Sequence, residues 1–238
     1  MSVTSFVHRY EIDQSAPTVR EAARDLAVRA LLPAAGLWLV IVGAGFLITG
    51  PLDDLPGEQG VNDWFVDHRV PWLDTFTSVF SQIGTTEFII GGTTVAVVLI
   101  LWRTRQWWLA VVPALAVAIQ AAIFLSSSLV VGRERPEVEK LDDVPPTSSF
   151  PSGHTGASFA FYLTLMMFAQ RIGNPALRTT VSVLCLLVPV LVGVARLYRG
   201  LHSLTDVVFG MVNGVVCMVL AWGYLRRDTA GDGRTIAR

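Results

Sequence analysis

A series of apolar runs, each about as long as a bilayer core is thick, restricts this chain more than any other feature. From Ala30 to Leu52 no side chain is charged, and comparable runs recur near residues 85–102, 107–131, 152–170, 179–197 and 204–225. About 20 apolar residues in a helix cross the hydrocarbon core. Charged residues make up 16% of the chain and hydrophobic ones 52%, against about 25% charged in a soluble domain. Mean hydropathy is +0.53. The expected fold is therefore all-α: an integral membrane bundle of six transmembrane helices over residues 30–225. A polar cytoplasmic segment, 1–29, is expected before it and a disordered cytoplasmic tail, 226–238, after it. The first run is longer than a signal-peptide h-region and no early small-residue cleavage site follows it, so no cleaved leader is expected.

Residues 51–84 are polar to amphipathic. Pro71 suits the first turn of a helix, with Trp72, Phe76 and Phe80 spaced by four behind it. An interfacial helix between the first and second spans, aromatic face inward, and an ordinary packed loop helix fit this pattern equally. Asp63, Asp67 and His68 are expected to be solvated, and the segment is expected to carry no chemistry. Trp107-Trp108 reads as an interfacial anchor. Cys185 and Cys217 lie in apolar runs and read as small buried hydrophobes, not as a disulfide or metal site. Net charge is −1, which points to no nucleic-acid partner. Neither a metal nor a cofactor is expected, and oligomeric state is left open.

Six spans put both termini on one side of the membrane. Twelve of the 18 basic residues fall on that side, so the termini are expected in the cytoplasm, in a plasma or inner membrane. The other six bases are mostly clustered in three polar blocks at the outward helix ends: Arg135-Pro136, then Pro151-Ser152-Gly153-His154, then Arg196 with His202 and Asp206. Ionisable groups beside lipid-embedded helices are costly and suggest function.

Each block has its own chemistry. Pro151 and Ser152 mark a helix start, where free N–H groups and the dipole suit an anion; Gly153 leaves the backbone open, and His154 can give a proton to a leaving group. His202 and Asp206 share a helical face if the helix begins by residue 202. The carboxylate would then fix the imidazole tautomer and free the other nitrogen to attack. Asp206 also fits a capping box with Ser203. Arg135 and Arg196 are planar, permanently charged forks suited to phosphate oxygens. Arg133 and Lys140 are expected to pair with the loop acids Glu134, Glu137 and Glu139. Arg199 fits either a phosphate or a lipid headgroup; Tyr198 reads as an anchor and Gly200 as the break between two spans.

Together the blocks resemble the type 2 phosphatidic acid phosphatase superfamily, which also includes vanadium-dependent haloperoxidases. Its pattern is Lys, six residues, Arg-Pro; then Pro-Ser-Gly-His; then Ser-Arg, five residues, His, three residues, Asp. Arg135-Pro136, residues 151–154, and Arg196, His202 and Asp206 match it, and with the six-span layout the likeness covers roughly residues 60–225. Ser128 stands where the family has its lysine, and Ala195 where it has its serine. The resemblance implies that His202 attacks phosphorus, Asp206 orients it and His154 protonates the leaving oxygen. Arg135, Arg196 and the backbone of Ser152 and Gly153 would hold the phosphoryl oxygens, without a metal. It further implies hydrolysis of a lipid phosphate or diphosphate on the extracytoplasmic face, with polyprenyl diphosphate slightly ahead of phosphatidate or phosphatidylglycerophosphate. The alternatives are a phosphotransferase on lipid phosphates and, because Ser128 replaces the lysine, a catalytically impaired protein that binds anionic lipid. Arg133 is a candidate substitute for that lysine.

Overall fold

The computed structural model describes residues 2–227, and every regular element among them is helical. Two short helices, α1 (Val3–Val7) and α2 (Arg9–Ile12), precede a long one, α3 (Val19–Thr49). Next come α4 (Gln59–Asp67), α5 (Pro71–Ile83), α6 (Thr86–Thr104) and α7 (Trp107–Val131). The chain continues through α8 (Gly153–Ala169), α9 (Pro175–Tyr198) and α10 (Leu204–Trp222). Five helices, α3, α6, α7, α9 and α10, are long and apolar enough to cross a membrane. Among the described residues the chain is thus an all-helical integral membrane protein with five candidate spans.

The element expected as a further span, α8, has 17 residues, about 26 Å of helix against a core of roughly 30 Å. It is also heavily enclosed by protein: Thr155, Gly156, Ser158, Phe159, Ala160 and Phe161 are all buried, and α7, α9 and α10 pack around it. A helix wrapped by other helices does not have to match the lipid. Its first turn meets α10 backbone to backbone: a Cβ on Gly210 would lie 2.5 Å from the Ser152 carbonyl oxygen, and the Ser152 N–H donates to the Asp206 carbonyl at 2.9 Å. Two of the polar blocks are joined there.

Three sequence expectations change. First, α3 begins at Val19 and not near residue 30. Thr18 caps it in a capping box with Glu21, and a π-turn at Ala27–Leu31 precedes Pro33, whose nitrogen cannot donate. The polar N-terminal segment folds back on the bundle, with the Tyr10 hydroxyl donating to the Trp222 carbonyl at 3.0 Å and the Trp222 indole to the Phe6 carbonyl at 3.0 Å. Second, the start of the expected tail is held to the protein: the exposed Arg226 donates its backbone N–H to Asp25, and Arg227 is buried and donates to the Ser15 carbonyl at 2.6 Å. The rest of that expectation, 228–238, lies outside the described residues. Third, residues 51–84 form two main helices, and the aromatic stripe of α5 faces away from the bundle: Trp72 is 68% exposed and Phe76 44%. Thr77 and Ser81 face in, because the arginines beneath them need oxygen acceptors. Trp107 is exposed but Trp108 is buried, so only one of the pair sits at the surface. Cys185 and Cys217 are buried free thiols, as expected.

Candidate active site

After α9 the chain turns at Gly200, whose φ of +74° places it in the left-handed region. His202 follows, buried, with Nδ1 2.8 Å from the Ser149 carbonyl oxygen and 3.6 Å from Asp206 Oδ2. A carbonyl only accepts, so Nδ1 carries the proton and Nε2 keeps its lone pair. The direct Asp206–His202 hydrogen bond expected from their spacing is replaced by Ser149, with the carboxylate behind it. The reason is the helix start: α10 begins at Leu204, so His202 lies before the first helical residue. Asp206 is 0% exposed. Its Oδ1 accepts from Arg133 Nη1 at 2.7 Å; its Oδ2 accepts from the Ser203 N–H at 2.8 Å and from the Ser149 hydroxyl. The capping-box role is therefore present as well. Burial pushes the His202 pKa down to about 4, against the nearby negative charge of Asp206, and Arg196 and Arg135 push the same way as burial. At neutral pH the ring is an uncharged base.

Two of the arginines border this ring. Arg135 donates to the carbonyls of Leu201 at 2.6 Å and Thr147 at 3.1 Å, not to Glu134, Glu137 or Glu139. Arg196 donates to Ser81 Oγ at 2.7 Å and to Asp142 Oδ2 at 3.3 Å. Each keeps a buried Nε–H without an acceptor. Arg199, expected at a phosphate or a lipid headgroup, has its donors engaged within the protein. Its fork grips Asp142 at 2.7 and 2.6 Å and its remaining donors reach Thr77, the Asp74 carbonyl and the Leu141 carbonyl. Burial pushes the Asp142 carboxyl up, but hydrogen bonds from Arg199 and Ser81 and the charges of Arg199 and Arg196 outweigh it and hold the group ionised. Tyr198 is likewise no anchor; it is buried and donates to Asp74 at 2.7 Å.

At the start of α8, the Ser152 N–H is taken by Asp206, and its hydroxyl pairs with Thr155 at 2.9 Å. Ser152 is therefore not open to a phosphate through its amide, contrary to the expectation. The amides of Gly153, His154 and Thr155, in the first turn, have no intrahelical partner and are the free ones by helix geometry. His154 is half-buried and within electrostatic reach of Arg196, His202, Asp142 and Arg135. It also lines a cavity of 310 Å³ walled by Ile89, Ile90, Val117, Phe124 and Leu125. The site thus combines a neutral imidazole, fixed positive charge, a helix N-terminus and an apolar recess.

The position of the family lysine is closed. Ser128 is buried, and its hydroxyl accepts from the N–H and hydroxyl of Ser148 at 3.0 and 3.1 Å. Arg133 does not fill the gap, since its donors are all engaged as described below, and it pairs with Asp54, Glu58 and Asp206, not with the loop acids. Ser128→Lys should therefore lower activity about tenfold or more: it breaks two hydrogen bonds worth about 1 kcal/mol each that hold the loop segment 147–150 against Arg135. Phosphate release by the purified variant checks this, and a gain would mean that a lysine fits there after all. Sequence reasoning passed over Ser149, Asp142, Ser81, Glu58 and Asn62, whose amide donates to the His202 carbonyl at 3.0 Å. Only Ser149 carried a signal, its place beside the Pro-Ser-Gly-His block.

Residues 107–230 match the model of the PAP2 superfamily. Phosphatidylglycerophosphatase B of Bacillus subtilis (strain 168) is 26% identical over 174 residues, 70% of this chain and 82% of that protein. The crystal structure of a transmembrane PAP2-type phosphatidylglycerolphosphate phosphatase from Bacillus subtilis superposes with a TM-score of 0.68 at 21% identity, covering 81% of this chain and 94% of that one. LpxE from Aquifex aeolicus superposes with a TM-score of 0.52 at 21% identity, covering 68% and 92%. With more than half its length, α7 to α10, inside the family match, this chain belongs to the PAP2 superfamily.

Proposed function

We propose that the protein is a lipid phosphate phosphatase working through a phosphohistidine on His202. The observation that supports it most is the uncharged, Nδ1-tethered imidazole set among Arg135, Arg196 and His154, with an apolar cavity opening at His154. In this reading Nε2 attacks phosphorus, the N–P bond forms and the P–O bond to the lipid alcohol breaks, and His154 supplies the proton to the departing oxygen. Water, giving its proton back to His154, then splits the N–P bond. Arg135, Arg196 and the first-turn amides of α8 hold the phosphoryl oxygens, and Asp142 gives up its contact with Arg196 to the substrate. The cavity takes the first part of the lipid chain.

The layout favours α8 as a sixth crossing, both termini in the cytoplasm and the site at the extracytoplasmic end, following the distribution of arginines. The name of the curated relative makes a glycerophospholipid phosphate the first substrate to test, ahead of polyprenyl diphosphate. Protein purified in detergent with EDTA is expected to release phosphate from phosphatidylglycerophosphate, phosphatidate or polyprenyl diphosphate, fastest from the first. Because His202 is neutral down to about 4, kcat/KM should lose its activity on the acid side near that value and not near that of a free imidazole. No release from any of the three would refute the phosphatase reading and favour the alternative that Ser128 raises, an anionic-lipid binder.

A further inference from the structure

The carboxylate behind the imidazole does not stand alone. Arg133 is buried, and its five N–H groups meet five oxygens. Nε donates to Asp54 Oδ1 at 3.1 Å, Nη1 to Thr205 Oγ1 at 2.8 Å and Asp206 Oδ1 at 2.7 Å, and Nη2 to the Asp54 carbonyl at 2.8 Å and Glu58 Oε2 at 3.1 Å. None is left for a phosphate. Glu58, just before α4, also accepts from the Thr205 N–H and hydroxyl, each at 2.8 Å, so it caps the first turn of α10 while it holds the guanidinium. Charges alternate from the rim inward, Glu58, Arg133 and Asp206, and end at the neutral imidazole.

We infer that Arg133, anchored by Glu58, is a positioning residue for His202, acting through Asp206 and Ser149. A fully buried carboxylate needs a countercharge. Without Arg133 the nearest group able to supply one is the imidazole, by taking up a proton, and a protonated ring cannot attack phosphorus. Arg133 removes that demand. It also grips the Ser149 loop segment directly: the Ser149 N–H donates to the Arg133 carbonyl at 2.9 Å, the Ser149 hydroxyl donates to Asp206, and the Ser149 carbonyl receives the imidazole proton. Gly132, at φ +68°, ends α7 and turns Arg133 back into the bundle. The other ionisable groups facing His202 are Arg196 from α9, Arg135 from the 132–152 loop and His154 from α8, beside which Asp142 lies. None of these bonds to the Arg133 side chain.

The kinetic part of this inference rests on the phosphatase reading; the protonation part does not. The test uses the full chain in detergent with ¹⁵N-labelled histidine, the His202 signals being those lost in His202→Ala. Wild type should hold the neutral Nδ1–H tautomer. In Arg133→Gln the protonation midpoint of His202 should rise by about one pH unit or more, kcat should fall about 10- to 100-fold with KM within about twofold, and the acid limb of activity should move up with the midpoint. Arg133→Lys, which keeps the charge and loses the fork, should recover more than half of both effects, and Arg133→Met, which also removes the charge, takes the place of the glutamine variant if that does not fold. An unmoved midpoint in the folded uncharged variant would overturn the inference. A raised KM for lipid, or weakened inhibition by inorganic phosphate, with the midpoint unmoved would make Arg133 a substrate contact instead. A moved midpoint in a protein that hydrolyses no lipid phosphate would refute the phosphatase reading and keep Arg133 as the group that sets the ring's protonation.

Discussion

His202→Ala should lower phosphate release by about 10⁴-fold or more, to a residue left by binding and charge stabilisation alone. The imidazole holds a lone pair free at Nε2, because its other nitrogen is tied to the Ser149 carbonyl at 2.8 Å. Its low protonation range, set first by burial, keeps that pair available through neutral pH. Alanine leaves Arg135, Arg196 and the start of α8 in place, so lipid phosphate should still bind. On the proposed mechanism, what disappears is the atom that forms the N–P bond. The fold should survive, since the change leaves one carbonyl without its donor at a cost of about 1–3 kcal/mol. The assay is phosphate release together with trapping of acid-labile phosphoprotein during turnover. Wild type should show the trapped species and the variant none. Release at an unchanged rate, or a trapped phosphate that persists in the variant, would move the nucleophile elsewhere in the site.

How much of this was readable beforehand differs from element to element. The span 107–131 and helix α7 coincide, because uncharged length alone sets where a chain can sit in lipid. The end of α3 nearest the N-terminus did not follow hydropathy, since a Thr18–Glu21 capping box starts the helix in polar sequence. For α5 the four-residue spacing of Trp72, Phe76 and Phe80 gave the helix but the wrong face. Periodicity marks a stripe without saying what lies opposite it, and here arginines opposite drew Thr77 and Ser81 inward. The same holds at the site. The residues that would carry chemistry stood out by type and spacing. Their supports did not: Ser149 contributes a main-chain carbonyl, which has no side-chain signature, and Asp142 was one acid among several in its loop. The spacing of His202 and Asp206 suggested a direct bond, yet the helix begins two residues after the histidine and the bond goes to the loop.

That last difference sets the size of the second large effect. Asp206→Asn should lower kcat by about 10²- to 10³-fold, less than where a carboxylate alone fixes the tautomer and its amide variant loses about 10⁴-fold. Here the Ser149 carbonyl keeps the proton on Nδ1 whatever stands at 206. What is lost is negative charge 3.6 Å from a ring that becomes cationic as Nε2 bonds to phosphorus. Stability should also drop, by about 3 kcal/mol, toward the low end for breaking a buried pair because Arg133 keeps Asp54 and Glu58. The amide adds a clash of its own. Both oxygens of Asp206 accept, one from Arg133 and the other from Ser203 and Ser149, so an NH₂ in either place faces a donor. The two effects separate when kcat per folded molecule and the thermal midpoint are measured in one detergent. A lowered midpoint with kcat unchanged would reduce Asp206 to a helix cap. A loss near 10⁴-fold would mean that in the working enzyme the carboxylate, not Ser149, holds the imidazole proton.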